Sequence, residues 1–387
     1  MFASFWMGGF ESSTHVNRHG ERLDLIANTQ HDLLVSEDYA LMKAAGMSVA
    51  RDAARWHLIE QAPGVYDFSS LLPMVEAAEL HDMQVIWDIC HYGIPTDVDL
   101  LSPQFVARFT GYAAALAEFM KSRSPKVPIY CPFNEISFFS WAAGEEGWIS
   151  PFLKKRGADV KQQLVRACIS VANAIWRVDP RARFVYVDPI IHVHQPRDRP
   201  DLAEAARLYN ESQYEALDMF VGKAHPELGG HPRYLDMIGV NFYHSNQWEY
   251  DGERLRWEDE PRDDRWIPLH KLLEQVHRRY GRPLFIGETS HFGVGRARWI
   301  AEIAGEVGLA LQAGTPVEGI CLYPVIDRPD WEDPNHWHNS GLWDLKNVNG
   351  KLTRVLNIEY ATALMRAQCK LQQLNHENLG AVRLAGR

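Results

Sequence analysis

The sequence predicts an α/β protein built as one (β/α)8 (TIM) barrel. Two observations carry that expectation. First, apolar strand-like runs alternate with helical patterns through eight units, the order expected of a parallel sheet wrapped by helices. Second, two of the runs, Cys131-Pro132-Phe133-Asn134-Glu135 and Leu284-Phe285-Ile286-Gly287-Glu288, end on a glutamate. An unbroken apolar run reads as a strand buried on both faces. A carboxylate at its C-terminal end stands where barrels place reacting groups.

The expected strands are residues 2–10, 47–51, 84–89, 129–134, 184–187, 237–243, 284–287 and 320–325. Each is strand-like, and the helical pattern before the second ends at Gly46. The expected helices are residues 29–45, 71–80, 103–121, 160–178, 201–220, 269–280, 297–313 and 356–374, where apolar residues recur at helical spacing. A doubly wound open sheet would place a Gly-rich turn after its first strand. Met7-Gly8-Gly9-Phe10-Glu11 lacks that spacing. Long loops are expected after strands 4, 5, 6 and 8, and such loops on one barrel face serve as functional walls. Residues 1–387 read as a single domain, with a loosely held polar tail from about 375.

The chain has 387 residues, 46% hydrophobic and 23% charged, ordinary globular composition that allows a large core. Its net charge of −10, with no long basic run, argues against a nucleic-acid partner. No stretch approaches the length of apolar residues a membrane span needs, and the N-terminus lacks a leader pattern. The five scattered cysteines fit neither a disulfide framework nor a metal knuckle. A cytoplasmic protein without a cofactor or metal is expected. Thirteen Trp residues include many in polar stretches, such as Trp141, Trp148, Trp248, Trp257, Trp266, Trp331, Trp337 and Trp343. Indole rings in loops suit the apolar faces of sugar rings.

Placed around the rim, the strand ends offer Glu11, Arg51, His91, Tyr92, Asn134, Glu135, Asp188, Asn241, Tyr243, Glu288, His291, Tyr323, Asp330 and Trp331. Carboxylates, amides, imidazoles and indoles of this kind suit a polyhydroxylated ligand, because each hydroxyl both donates and accepts. Two carboxylates far apart in sequence suggest the pair that flanks a glycosidic bond.

At these residues the chain resembles the retaining clan of barrel glycosidases, and within it family 1, the β-glucosidase type. Asn134-Glu135 on strand 4 and Glu288 on strand 7 match the clan's pattern. His91 with Gly93-Ile94-Pro95, Gly239-Val240-Asn241-Phe242-Tyr243, the stretch from Tyr323 to Trp331, and Gly341-Leu342-Trp343-Asp344 are similar to family 1 motifs. The chain departs from the family at Glu11, Tyr323 and Asp330, where the family has Gln, Trp and Glu, and around Glu288.

The resemblance implies a retaining β-glycosidase acting at a chain end. Glu288 would be the nucleophile and Glu135 the acid/base, with carboxyls about 5–5.5 Å apart. Arg51 would balance the charge of Glu288, Tyr243 would orient it, and Asn134 would bond the sugar 2-hydroxyl. Glu11, His91, Asn241, Tyr323, Asp330 and Trp331 would bind or support a carbohydrate substrate. A transglycosylase would use the same residues. A metal-dependent barrel hydrolase, with His192 and His194 as ligands, and a non-catalytic carbohydrate-binding barrel are the other readings.

Overall fold

A computed structural model describes residues 1–385. Eight parallel strands close into a barrel: β1 (Trp6–Gly9), β2 (Val49–Ala53), β3 (Gln84–Asp88), β4 (Ile129–Cys131), β5 (Arg183–Pro189), β6 (Met237–Asn241), β7 (Leu284–Thr289) and β8 (Val317–Leu322). Neighbours in sequence are neighbours in the barrel, and β1 pairs with β8, Met7 opposite Cys321, to close it. The barrel interior is filled by Met7, Val49, Ile86, Ile129, Cys131, Val185, Val187, Met237, Phe285 and Cys321. This layer of side chains makes the barrel a packed core and not a pore.

The surrounding helices are α1 (His31–Ala44), α2 (Leu72–Leu80), α3 (Pro103–Arg123), α4 (Gly157–Val178), α5 (Ala203–Ser212), α6 (Leu269–Tyr280), α7 (Arg296–Gln312) and α8 (Ile358–Ala385). Local chemistry sets their ends. Pro103 opens α3 and Lys121 and Arg123 sit in its last turn, facing the negative end of its dipole. Gly281 ends α6 in the left-handed region at φ 61°. On α4 the buried Val160, Leu164, Ala167, Cys168, Val171 and Ile175 form one stripe at helical spacing. No helix among the described residues is long and apolar enough to cross a membrane.

Several expectations change. The helix expected at 201–220 is two, α5 and Glu215–Phe220. The loop after β8 contains an antiparallel hairpin, Trp343–Val348 with Lys351–Leu356. His192–His194 leaves the barrel and pairs with Gln247–Glu249 in a small outer sheet. The segment expected as a tail continues α8 to Ala385, and residues 386 and 387 lie outside the described part. Among the tryptophans, Trp257 and Trp343 are buried rather than displayed. Arg298 lies 4.6 Å over the Trp257 ring and Arg262 5.5 Å, so cations cover the indole that the polar sequence around it implied would be free.

Candidate active site

β4 ends at Cys131, and the chain then turns sharply. Asn134 N–H donates to the Cys90 carbonyl and Glu135 N–H to the Val187 carbonyl, which ties the turn to both neighbouring strands. Glu135 takes a left-handed backbone, φ 45°, and precedes the short helix Ile136–Phe139. A non-glycine residue in that region is uncommon and is held there by its surroundings. Across the barrel, Glu288 lies within β7, and its carbonyl accepts from Phe242 N–H.

Both glutamates line one cavity of about 290 Å³, with Glu11, His91, Tyr92, Asn134, Tyr243, Tyr323 and Trp331. A wider cavity of about 890 Å³ adjoins it and shares Glu135, Phe138, Tyr243 and Ser245. Trp141 and Trp248 line the wider one.

The two carboxyls have opposite settings. Arg51 Nη1 donates to Glu288 Oε1 at 2.6 Å, and Tyr243 hydroxyl donates to Oε2 at 2.7 Å. Arg51 is itself held by Asp88 at 3.0 and 2.8 Å, and its Nη2 also donates to Asn134 Oδ1. Among the described residues no cation pairs with Glu135. Tyr92 hydroxyl donates to Oε2 at 2.5 Å and Asn241 Nδ2 to Oε1 at 2.8 Å. Burial, and then the charge of Glu288, push the Glu135 carboxyl up to about 8, against the lowering effect of those two hydrogen bonds. Glu135 is therefore protonated near neutral pH, while Glu288 faces a guanidinium.

The surrounding residues interlock. Asn134 Nδ2 donates to His91 Nε2 at 3.0 Å, which leaves the His91 proton on Nδ1, donated to Asp88 at 2.8 Å. The Tyr323 ring stacks on His91 at 5.9 Å and 2°. Glu11 accepts from Ser13 N–H and hydroxyl and pairs with Arg328 at 3.1 Å. Burial alone would raise the Glu11 carboxyl, but Arg328, helped by the hydrogen bonds from Ser13, holds it below the usual range. Trp331 packs edge-on against His15 at 4.6 Å and Tyr92 at 6.1 Å.

Of the residues expected at the site, Glu11, His91, Asn134, Glu135, Tyr243, Glu288, Tyr323 and Trp331 line the inner cavity. Arg51 and Asn241 lie beneath it, fully buried, each bonded to a different glutamate. Asp330 needs correction. Its carboxylate accepts from the N–H groups of Glu332 and Asp333 and pairs with His338 at 2.9 Å, so it shapes its own loop. It does not line the cavity; Arg328 and His338 do. His192 and His194 stand on the outer sheet, and among the described residues neither joins a cluster of metal-binding groups. Sequence reasoning did not single out Asp88 or the bond from Tyr92 to Glu135. The signal for Tyr92 was its place directly after His91, but its left-handed φ of 67° sets its direction.

No family model matches the sequence, and no curated protein matches it. Solved structures do. A β-glucosidase from Thermotoga maritima in complex with deoxynojirimycin superposes with a TM-score of 0.74 at 13% identity, over 94% of this chain and 97% of that one. The family 1 β-glucosidase from Thermotoga maritima gives the same values: TM-score 0.74, 13% identity, 94% and 97% coverage. A hyperthermophilic β-glucosidase mutant gives 0.74 at 16% identity, over 94% and 98%. The chain therefore shares the eight-stranded barrel fold of the family 1 β-glucosidases.

Proposed function

We propose that the protein is a retaining β-glycosidase that removes one sugar from the end of a β-linked glycoside. The observation that carries this reading is the unequal setting of two carboxyls in one cavity: Glu288 against Arg51, Glu135 buried without a cation. Glu288 attacks the anomeric carbon and the glycosidic bond breaks, while Glu135 gives its proton to the departing oxygen. A covalent glycosyl-enzyme results. Glu135, now a carboxylate, takes a proton from water, whose oxygen attacks the same carbon and frees Glu288.

Exo action is supported by the small inner cavity opening into a wider one at Glu135. The inner cavity takes the sugar, and the leaving group lies on the side of the acid. Asn134 presents Nδ2 to the cavity wall, where it can donate to a sugar hydroxyl in place of His91. The neighbours with the same fold include a β-glucosidase solved with deoxynojirimycin, which supports a carbohydrate ligand.

The test is a panel of nitrophenyl β-glycosides with product stereochemistry followed by NMR. The expected first product is the β-anomer, and Glu288→Gln lowers turnover by roughly 10³-fold or more with an unchanged circular dichroism spectrum. An α-anomer as first product, or near-native turnover in Glu288→Gln, overturns the reading.

A further inference from the structure

We propose that His244, Glu258 and His291 bind one divalent transition-metal ion, zinc by donor type, in the wall of the inner cavity. His244 follows Tyr243 at the end of β6, His291 follows β7, and Glu258 comes from the long loop after β6. One ligand atom from each lies within 4.8 Å of the others. Among the described residues this is the one such group.

Zinc bonds of about 2.1 Å in a tetrahedral site place donor atoms about 3.4 Å apart. His291 Nε2 lies 3.4 Å from Glu258 Oε1, and His244 Nε2 lies 4.0 Å from it, an oxygen that also accepts from Arg254. Small side-chain rotations would complete the geometry. Two imidazoles and a carboxylate are a familiar zinc donor set with a fourth position left for another ligand. Both imidazoles line the inner cavity, the side from which water or a substrate hydroxyl would supply that ligand.

The cluster is otherwise hard to explain. His244 is 9% exposed and His291 5%, yet His244 Nδ1, His291 Nε2 and Glu258 Oε2 have no hydrogen-bond partner. Buried polar atoms are rarely left so. Arg254 faces Glu258 Oε1 at 3.1 Å and leaves Oε2 free.

His291 Nδ1 lies 3.0 Å from the Phe292 carbonyl. A proton on Nδ1, donated there, frees the Nε2 lone pair and fixes the ring, as outer-shell carbonyls do at metal-bound histidines. The Phe292 N–H donates to Nδ1 at 2.8 Å when the proton is on Nε2, so metal binding would exchange that bond for the one to the carbonyl. Trp257 lies 5.0 Å from the His291 ring and Phe292 5.0 Å from His244. A bound ion would fasten the loop after β6 to the ends of β6 and β7.

The experiment strips the full chain with dipicolinate and titrates zinc chloride by calorimetry, with cobalt(II) absorption and thermal unfolding as parallel readouts. The expected result is one ion per chain, a tetrahedral cobalt spectrum and a higher Tm with zinc. Glu258→Gln weakens zinc by about tenfold or more, and His291→Ala abolishes binding. The double variant His192→Ala/His194→Ala binds as the parent does. No binding by the parent chain, unchanged binding in Glu258→Gln, or loss in the His192/His194 variant overturns the proposal. The parent titration and the near-isosteric Glu258→Gln decide the matter even if His291→Ala does not fold. The carboxylate chemistry proposed above stands or falls separately, on product stereochemistry and Glu288→Gln.

Discussion

At the scale of single residues, the proposed mechanism makes one proton on Glu135 set the pH dependence. That mechanism needs the acid form for leaving-group departure, so kcat/KM should fall as pH rises through about 8, the value to which burial and Glu288 push this carboxyl. Glu135→Gln should remove that alkaline limb. It should lower turnover of glycosides with poor leaving groups by about 10²–10⁴-fold, and much less for nitrophenol, which departs without a proton. Tyr92 gives a sharper check. Its hydroxyl donates to Glu135 at 2.5 Å and favours the carboxylate. Tyr92→Phe should therefore move the alkaline limb to higher pH, as measured by kcat/KM across pH 6–10. A limb that stays in place, or moves down, would show that the hydrogen bond does not set this proton.

At the scale of elements, the strand ends work because some backbones come unusually close. Gly9 closes β1, and a Cβ there would stand 2.3 Å from Tyr323 Cδ2. That absence of a side chain lets the Tyr323 ring lie flat against His91. Gly9→Ala should displace the ring, destabilise the fold by about 1–3 kcal/mol as overpacking does, and raise KM. Unchanged Tm and KM would mean that β1 and β8 move apart without cost. Gly287 stands likewise, with a would-be Cβ 2.7 Å from Asn241 Oδ1, beside the amide that holds Glu135. The eight strands were legible in the sequence because barrel strands are apolar on both faces and stand out from their surroundings. The pair Glu135 and Glu288 was legible because each ends such a run. The loops were not, since their polar residues serve one another. Asp330 reads as a substrate ligand but binds its own turn. Asp88 reads as a strand residue but anchors Arg51 and His91. Glu258 and its two imidazoles come from three separate segments with no common spacing, so only the fold brings them together.

At the scale of the whole molecule, a barrel must join its first and last strands, and a buried charge network spans that seam. His31, on α1, bonds Asp38 at 2.7 Å and Asp52 of β2 at 2.8 Å. Tyr39 also donates to Asp52, at 2.9 Å, and Phe10, just past β1, stacks on the imidazole at 3.6 Å. Arg354, from the hairpin after β8, donates to both oxygens of Asp38 at 2.6 and 2.8 Å. The network thus ties β1 and β2 to the segment that leads into α8. Burial would lower His31, but Asp52 and then the hydrogen bond His31 donates to Asp38 raise it to about 9, above an ordinary 6.5. The folded state therefore holds this proton more tightly than the unfolded chain does. Its contribution is complete below pH 6.5 and is lost as pH rises through about 9. The loss is on the order of 3 kcal/mol. Asp38 behaves oppositely. Burial opposes its charge, but Arg354 and then His31 hold it below the usual range, so its contribution is lost at the acid end. Urea unfolding from pH 6 to 10 should show a decline that His31→Gln, less stable at pH 6, does not share. Other groups titrate in the same window, so the difference between parent and variant is the quantity to read. It should shrink toward zero as pH approaches 10, when the network holding the seam has lost its central charge. A difference that stays constant from pH 6 to 10 would mean that His31 is neutral in the folded protein and joins the strands by shape alone.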